Sequence, residues 1–475
     1  MKNLRILLSI VLLSSALVFL QSATAAAPAL TKISRDPYTN TSSQHRTQVE
    51  PDTFAYGSTV VAVFQSGRFY DGGASNIGWA TSGDNGATWT YGFLPNTTAY
   101  AGGAYQRISD PSIAYDAKHA AWLVNTLGIG SAGQSILAHR STDGGLSWDN
   151  PILIDGPGFG LDKNWIACDN AAASPYYGNC YASWDDANNG GVIYVSVSSG
   201  GGVTWSTPTF AFGSSGLGVQ PLALPDGTVV IPYLGFNNRM YVIRSMDGGA
   251  TWSAPQNITT VTSHNVAGDL RTVALPSAEM DGGGKIYLAW QDCRFIKNCK
   301  ANDIVMTTST DGVNWSAVKR IPLDRKNAGV DHFIPGIAAD PNTSGNTAHL
   351  ALAYYFYPST SCSVTTCRLN VGFATSADSG ATWSERIVLA RGMKLKWLPY
   401  TTLGYMVGDY ISTSFVNGQA IPVFARALEK KNKFRQATYA PTNGLPVRAG
   451  VNAATLEPVE TTQSDHAPLP IQIRP

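Results

Sequence analysis

One short sequence pattern occurs six times along this chain, at intervals of 47 to 68 residues. The full form, Ser-x-Asp-x-Gly-x-Thr-Trp, is found at residues 82–89, 245–252 and 376–383. Residues 141–148 differ only by Ser in place of Thr, residues 198–205 lack the acid, and residues 309–315 are one position shorter. A pattern that recurs at a nearly regular interval indicates a fold made of repeated structural units.

The chemistry of the pattern predicts a tight turn. The Asp carboxylate can accept hydrogen bonds from backbone N–H groups, Gly can adopt a positive φ angle, and Trp can pack beneath the turn. Each of these roles is local to the turn. We therefore predict that the six patterns stabilise the fold and that the chemistry of the protein lies elsewhere.

An apolar segment typical of a buried strand lies ahead of each pattern. These segments are residues 60–64, 121–124, 181–184, 229–233, 286–290 and 350–355. A second strand of alternating character, such as residues 136–140 or 240–244, leads into the turn. With 47 Gly and 26 Pro to end the strands, the repeat unit is predicted to be a four-stranded meander of about 60 residues.

The six patterns resemble the Asp-box, or BNR repeat, of the sialidase superfamily, and the resemblance covers residues 45–440. It implies an all-β protein, a β-propeller of sialidase type with Asp-box turns. Six patterned units and one unit without a pattern, from Asp409 to Tyr439, predict seven blades. Six blades are the alternative, if residues 40–56 complete the final blade.

The two ends of the chain differ from the repeats. Lys2 and Arg5 precede an apolar run and the small residues 23–25, which predicts a signal peptide over residues 1–25. The propeller is then assigned to residues 26–440, and a proline-containing tail to residues 441–475. No later apolar run has the roughly 18 residues of a membrane span.

The cysteines fit an exported protein, extracellular or periplasmic. The six fall into three sequence-local pairs that predict three disulfides: Cys168 with Cys180, Cys293 with Cys299, and Cys362 with Cys367. Zinc ligation is disfavoured, because none of the pairs has the C-x2-C spacing with His partners. No metal centre is therefore assigned.

The charge balance excludes one class of partner. Charged residues are 14% of the chain and the net charge is +1, so the basic footprint of a nucleic-acid-binding protein is missing. A carbohydrate or glycoconjugate partner, and a monomeric state, are expected instead.

Candidate functional residues come from the start of the first strand of each unit, because a propeller brings these starts to one mouth. Seven residues occupy this position, and all but Gln220 are carboxylates: Glu50, Asp110, Asp162, Gln220, Asp269, Asp331 and Asp409. One interpretation is that the acids cap the strand starts. The other is that they form a binding site together with neighbouring residues such as Lys163 and Arg271.

The resemblance implies particular roles for several residues. In sialidases, an arginine of a first-blade F-R-I-P element binds the substrate carboxylate, and here Val49 occupies that place. Arg68 matches the arginine of an E-x-R stretch, and Arg271 is a further candidate for substrate binding. Asp71 lies near the position of the general acid, and Tyr410 lies in the blade of the nucleophile. The glutamate partner of that tyrosine has no counterpart that we can identify.

These features lead to two functional hypotheses. The first is an exported glycoside hydrolase, with exo-α-sialidase the nearest activity. The second is a non-catalytic propeller that binds glycans or a protein partner. No cofactor is expected, but an acidic mouth suits a neutral sugar or Ca²⁺ better than an anionic sialic acid, because Ca²⁺ binds six to eight oxygens.

Overall fold

The computed structural model describes residues 27–451. The predicted signal peptide, and residues 452–475 of the predicted tail, lie outside the described residues. The described chain is all-β, in agreement with the sequence, and has five short 3-10 segments: Ala99–Ala101, Ala187–Asn189, Lys297–Cys299, Gly345–Thr347 and Leu395–Trp397.

Within residues 27–451 the strands pair into seven successive antiparallel meanders. The first comprises Gln44–Tyr56, Thr59–Arg68, Ala74–Ser82 and Thr90–Phe93. The second comprises Arg107–Asp116, Ala121–Gly130, Gly133–Ser141 and Ile152–Gly158. The third comprises Leu161–Cys168, Cys180–Asp186, Val192–Ser198 and Thr209–Phe210. A single pairing of Ala74 with Ile108 joins the first two meanders.

The fourth meander begins with two short segments, which pair with the same second strand. It comprises Gly216–Leu217, Leu222–Ala223, Val229–Gly235, Arg239–Ser245 and Gln256–Thr260. The fifth comprises Ser277–Met280, Ile286–Asp292, Asp303–Ser309 and Lys319–Arg320. The sixth comprises Asp331–Ala339, Leu350–Tyr357, Leu369–Ser376 and Ile387–Met393. A hairpin of Tyr400–Thr401 with Gly404–Tyr405 follows.

The seventh meander joins the two ends of the described chain. It runs through Ser412–Val416, Gln419–Ala427 and Gln436–Pro441, and Leu30–Lys32 adds its fourth strand. Residues 40–56 therefore do not complete this meander as the alternative prediction required, because Gln44–Tyr56 pairs with Thr59–Arg68. Leu445–Pro446 also pairs with Gln419–Ala427, so this part of the predicted tail lies on the seventh meander.

The six apolar segments lie in the second strands of the first six meanders and are buried throughout, as predicted. Leu350–Tyr357, for example, is buried along its whole length. Neighbouring meanders are tied together by side chains of their first strands. Asp52 accepts a hydrogen bond from the Ile113 N–H at 2.8 Å, and Thr53 Oγ1 lies 2.9 Å from Ser412 Oγ, which links the first meander to the seventh.

The five repeated turns that contain an Asp share the bond from the Ser hydroxyl to its carboxylate, and the turn at Asp84 shows the arrangement in full. Its carboxylate accepts bonds from the Thr88 N–H at 2.8 Å and the Thr88 hydroxyl at 2.6 Å, and from Ser82 Oγ at 2.8 Å. Gly86 has a φ of 84°, and the Trp89 indole donates to its carbonyl at 3.2 Å. These bonds lower the pKa of Asp84 to about 2, with the Thr88 hydroxyl the largest cause.

Loss of one of these carboxylates is expected to have a modest effect. Asp247 accepts the Thr251 N–H at 2.9 Å, so Asp247→Ala should lower the free energy of unfolding by about 0.5–2 kcal/mol, the range for a capping side chain. Urea denaturation measures this, with Glu385→Ala, an exposed acid, as control. A variant that unfolds like wild type would show that this turn does not need the carboxylate. The turn at residues 198–205 has no acid at this position.

The three predicted disulfides are confirmed. Cys168 is joined to Cys180, Cys293 to Cys299, and Cys362 to Cys367. Each closes a short loop between neighbouring segments, so each constrains a local part of the unfolded chain. Across residues 27–451 there is no helix with the length and apolar character to cross a membrane.

Candidate functional site

The first strands of several meanders contain a bulge that positions a charged side chain. Glu50, Asp110 and Lys163 each have a positive φ, of 53°, 46° and 46°, and each lies where the pairing register shifts. Ile334 occupies the equivalent bulge of the sixth meander, with a φ of 51°, but its side chain is apolar. A positive φ is uncommon for these residue types, so the bulge is a repeated feature of the fold.

The bulges show that some residues predicted to occupy equivalent positions at the strand starts do not do so. In the third meander the residue at the bulge is Lys163, and not Asp162. In the sixth meander it is Ile334, and not Asp331. Asp269 precedes its meander and lies outside the strands. The sequence assigned Asp162 and Asp331 to the position of Glu50 and Asp110, because spacing in the sequence does not reveal which residue the bulge displaces.

Lys163 lies at the centre of a buried charge network. Its Nζ is 2.7 Å from Asp409 Oδ2, 3.5 Å from Asp110 Oδ1 and 4.0 Å from Glu50 Oε1. Side chains from the first, second and third meanders and from the segment before the seventh therefore meet at one ammonium group. We call Glu50, Asp110, Asp162, Lys163, Arg271 and Asp409 the central cluster.

Arg271 completes the cluster from the segment ahead of the fifth meander. Its Nε donates to Asp409 Oδ1 at 2.6 Å, and its Nη2 donates to Oδ2 of the same carboxylate. This is the bidentate geometry in which guanidinium and carboxylate groups interact most strongly. The Arg271 side chain is only 12% exposed.

The charges of the cluster are distributed unevenly. Burial opposes ionisation of Asp409, but Arg271 and Lys163 outweigh it and hold the pKa of Asp409 well below its usual range. Burial raises the pKa of Glu50 to about 8 and that of Asp162 to about 6. Burial also opposes ionisation of Asp110, but Lys163 outweighs it and lowers the pKa of Asp110. The two cations therefore favour the ionised forms of both Asp409 and Asp110.

Arg68 is buried beside the cluster and is already engaged. Its Nη1 donates to Gln65 Oε1 at 2.9 Å and to the Gly73 carbonyl at 3.3 Å. Gln65 in turn donates to Glu50 and, at 3.1 Å, to Ser109 Oγ. Sequence reasoning missed Gln65, because an uncharged residue inside a buried strand gives no signal of its position.

Tyr410 is buried below the cluster. Its hydroxyl donates to the Pro111 carbonyl at 3.0 Å, and its ring meets Trp165 edge to face, with 5.0 Å between centroids. Burial raises the pKa of Tyr410 well above its usual value, and the acids around it raise it further. The structure thus holds this phenol protonated and hydrogen-bonded.

Asp71 lies apart from Tyr410, in an exposed group of polar and aromatic side chains. Its carboxylate is 60% exposed and accepts a bond from Arg107 Nη1 at 2.6 Å. The adjacent Tyr70 packs against Tyr400, with ring centroids 6.4 Å apart, and the Tyr400 hydroxyl donates to Asp269 at 2.7 Å. We call Tyr70, Asp71, Arg107, Asp269 and Tyr400 the rim group.

The remaining predicted acid, Asp331, bonds elsewhere. It accepts the Asn302 N–H at 2.8 Å, and the next residue, His332, lies beside Asp324. Among the described residues, Asp303, Asp324 and His332 form one set with ligand atoms within 4.8 Å of one another. Arg320 donates to Asp303 at 2.7 Å and to Asp324 at 2.5 Å, so its guanidinium already forms an ion pair with each of these acids.

The fold and the site define an all-β protein of repeated meanders with a charge network where their first strands meet. A family model described as a BNR repeat-like domain matches residues 176–396, a segment that contains four of the six sequence patterns. The BNR-repeat resemblance seen in the sequence is thereby confirmed over this segment.

Three solved structures illustrate what the chain is similar to. The Hadza microbial sialidase Hz136 is 16% identical, with a TM-score of 0.45 over 73% of this chain and 66% of that chain. The Trypanosoma rangeli sialidase in complex with sialic acid is 13% identical, with a TM-score of 0.46 over 87% and 59%. A Dyadobacter fermentans protein of unknown function is 16% identical, with a TM-score of 0.44 over 69% and 95%. A comparison with curated proteins found no match.

Proposed function

We propose that this protein is an exported propeller that binds neutral glycans at the rim group and does not release sialic acid. The observation that supports this most strongly is the pairing of Arg271 and Lys163 with Asp409. A sialic acid carboxylate would have to compete with Asp409 for both cations. Breaking a buried ion pair leaves a charge without a partner, which costs about 3–5 kcal/mol.

Two further observations argue against a sialic acid clamp. Val49 occupies the place of the first clamp arginine, and its apolar, buried side chain offers no charge. Arg68 is directed to Gln65 and to the Gly73 carbonyl. The resemblance implies three arginines around one carboxylate, and here Arg271 is paired, Arg68 is engaged and the third is absent.

The architecture we propose is a closed propeller of seven blades, each blade being one meander. It is supported by contacts between the first and seventh meanders. Gln436 Nε2 donates to the Gln48 carbonyl at 3.1 Å, the Glu50 N–H donates to the Val407 carbonyl at 3.4 Å, and Thr53 bonds to Ser412 and Ser414. In such a ring the central cluster fills the axis, and the rim group faces solvent.

The rim group has the chemistry of a site for neutral sugars. Tyr70 is 53% exposed and Tyr400 is 42% exposed, so both rings can stack on the apolar face of a sugar. Asp71, Arg107 and Asp269 place charged hydrogen-bonding groups beside the rings. Aromatic surface with a few fixed polar groups is typical of ligand sites.

Export and a monomeric state belong to the same proposal. Three disulfides, and the absence of a membrane-spanning helix in residues 27–451, are consistent with an extracellular protein. The basic and apolar segment at the start of the sequence supports secretion. Size-exclusion chromatography of the secreted protein tests both points.

The decisive test compares binding with hydrolysis. We expect no sialic acid release from a fluorogenic sialoside, and measurable binding to members of a neutral oligosaccharide panel. Tyr400→Ala should weaken that binding about tenfold, which corresponds to 1.4 kcal/mol of lost stacking. Tyr91→Ala is the matched control, because Tyr91 is equally exposed but lies in the outer strand Thr90–Phe93. Sialic acid release that Tyr410→Phe abolishes would contradict the proposal.

A glycoside hydrolase acting on neutral substrates is the second candidate function. It is favoured by the two exposed carboxylates of the rim group, Asp71 and Asp269, since paired carboxylates are the usual groups for glycoside cleavage. Turnover of a neutral glycoside that Asp71→Asn removes, with binding retained, would establish it. The melting temperature is also measured with calcium chloride. If calcium raises it in wild type but not in Asp269→Asn, Ca²⁺ is identified as a ligand.

A further inference from the structure

Two adjoining cavities lie between the first and seventh meanders, apart from the rim group. The first has a volume of about 450 Å³ and the second about 430 Å³. Arg46 and Arg435 line both cavities, so the two are parts of one depression. We call it the basic groove, and its cationic residues are Lys32, Arg35, Arg46, Lys431, Lys433 and Arg435.

The local fold explains why these cations meet. Arg46 lies in the first strand Gln44–Tyr56, where the register shifts, and its φ of 59° places it at a bulge. Its backbone N–H donates to Asp36. Lys32 pairs with Tyr439 at the edge of the seventh meander, and Arg435 ends the basic loop before Gln436–Pro441. The seventh meander therefore supplies one wall and the first meander the other.

The charge of the groove is not neutralised by nearby acids. Asp36 is its only acidic lining residue, and its side chain is fully buried. Asp36 accepts the N–H groups of Tyr38 and Arg46 and lies 3.5 Å from His45 Nδ1. Over residues 27–451, none of the six cations has a carboxylate within 4.0 Å. Cations that a fold concentrates without partners create a local positive potential that attracts anions.

The contrast with the central cluster is informative. There, Lys163 and Arg271 are buried and each contacts the carboxylate of Asp409. In the basic groove, Arg35, Arg46 and Arg435 are exposed, and their guanidinium groups make no hydrogen bond to any described residue. The donors of the groove are thus free for a ligand from solution, whereas those of the cluster are not.

We propose that the basic groove binds an anionic polysaccharide through its carboxylate or sulfate ester groups. Planar guanidinium groups match both anions with two parallel hydrogen bonds, and three arginines around a concave surface can hold consecutive anionic sugars. The site is separate from the rim group, so the proposal does not depend on the proposed binding of neutral glycans.

Other polyanions fit the groove less well. Single-stranded nucleic acid is bound by exposed aromatic rings between basic residues, but the one aromatic lining residue, Tyr439, is only 9% exposed. An anionic membrane surface needs apolar side chains that insert beside the cations, and Leu428, the one large aliphatic lining residue, is half-buried. A hydrated, densely charged sugar chain requires neither feature.

The test uses the full secreted chain and four anionic probes. These are a sulfated hexasaccharide, an oligogalacturonate hexasaccharide, a single-stranded oligonucleotide and vesicles with anionic lipid. Arg46→Ala with Arg435→Ala forms the groove variant. Lys319→Ala with Lys326→Ala is the control, because it removes the same net charge from exposed positions elsewhere.

We expect one or both hexasaccharides to bind wild type more tightly than the other probes, with affinity that falls as salt is added. The groove variant should lose about tenfold or more in affinity, and the control less than about twofold. Neutral-glycan binding and melting temperature should stay unchanged in the groove variant, which separates this proposal from that for the rim group. Equal losses in both variants, or tighter binding of the oligonucleotide or vesicles, would overturn it.

Discussion

Asp409→Asn is expected to lower the free energy of unfolding by about 3–5 kcal/mol, the cost of removing one partner from a buried ion pair. The carboxylate is 1% exposed and binds the Arg271 guanidinium with both oxygens and the Lys163 ammonium with one. Without it, Lys163 retains only Asp110 at 3.5 Å and Glu50 at 4.0 Å, and Arg271 loses its only carboxylate within 4.0 Å among the described residues.

Asp162→Asn is the matched control for this prediction. Asp162 belongs to the same cluster, but its Oδ1 accepts the backbone N–H of Lys163, and its carboxylate forms no ion pair within 4.0 Å among the described residues. Burial raises its pKa to about 6, so loss of its charge should change the free energy of unfolding at pH 7 by about 1 kcal/mol or less. Urea denaturation of the three proteins measures the difference. Equal losses in the two variants would show that pairing with Arg271 and Lys163 does not stabilise the fold.

Much of the fold could be predicted because its signals are local in the sequence. The apolar segment 350–355 lies within the fully buried strand Leu350–Tyr357, and the pair Cys362 and Cys367 is close enough that a loop of five positions brings it together. The turn at Asp84 depends on side chains no more than four residues apart. Spacing and residue type are sufficient for features of this kind.

The site was predicted less well because its geometry depends on backbone detail between distant segments. The bulge at Lys163 turns the lysine, and not Asp162, toward Asp409, which is 246 positions away. Tyr410 was predicted as a nucleophile from its position in the chain, but the hydrogen bond of its hydroxyl to the Pro111 carbonyl follows from packing between meanders. A register shift of one residue decides which side chain enters the cluster, and no single sequence displays that shift.

The basic groove could be predicted only in part from the sequence. The basic residues at 430–435 are evident in the sequence. The opposite wall of the groove contains Arg46, which lies far from them in the sequence, near the start of the described chain. The net charge of +1 conceals this unevenness, since the groove is lined by six cationic residues and by Asp36 as its one acid. Net charge therefore excludes a globally basic protein, but it does not exclude a local anion site.

Glu279→Gln is expected to stabilise the protein at pH 9 and to leave its stability unchanged at pH 4. Glu279 lies on the first strand Ser277–Met280, and its carboxylate makes no ion pair or hydrogen bond with the described residues. Burial raises its pKa to about 8, and repulsion from Asp52 on Gln44–Tyr56 adds to the effect.

The sign of the effect follows from proton binding. Between the ordinary pKa of 4.5 and the folded pKa of about 8, folded Glu279 keeps a proton that the unfolded chain has released. Stability therefore falls as pH rises through this interval, and the full cost is present above pH 8. Glutamine carries no charge at any pH, so the variant should be more stable than wild type at pH 9 by about 2–4 kcal/mol and show less pH dependence from pH 5 to 8. Melting temperatures at pH 4, 7 and 9 measure this, with Glu385→Gln as the exposed control. A variant less stable than wild type at pH 9 would mean that the ionised Glu279 has a stabilising partner in the folded protein.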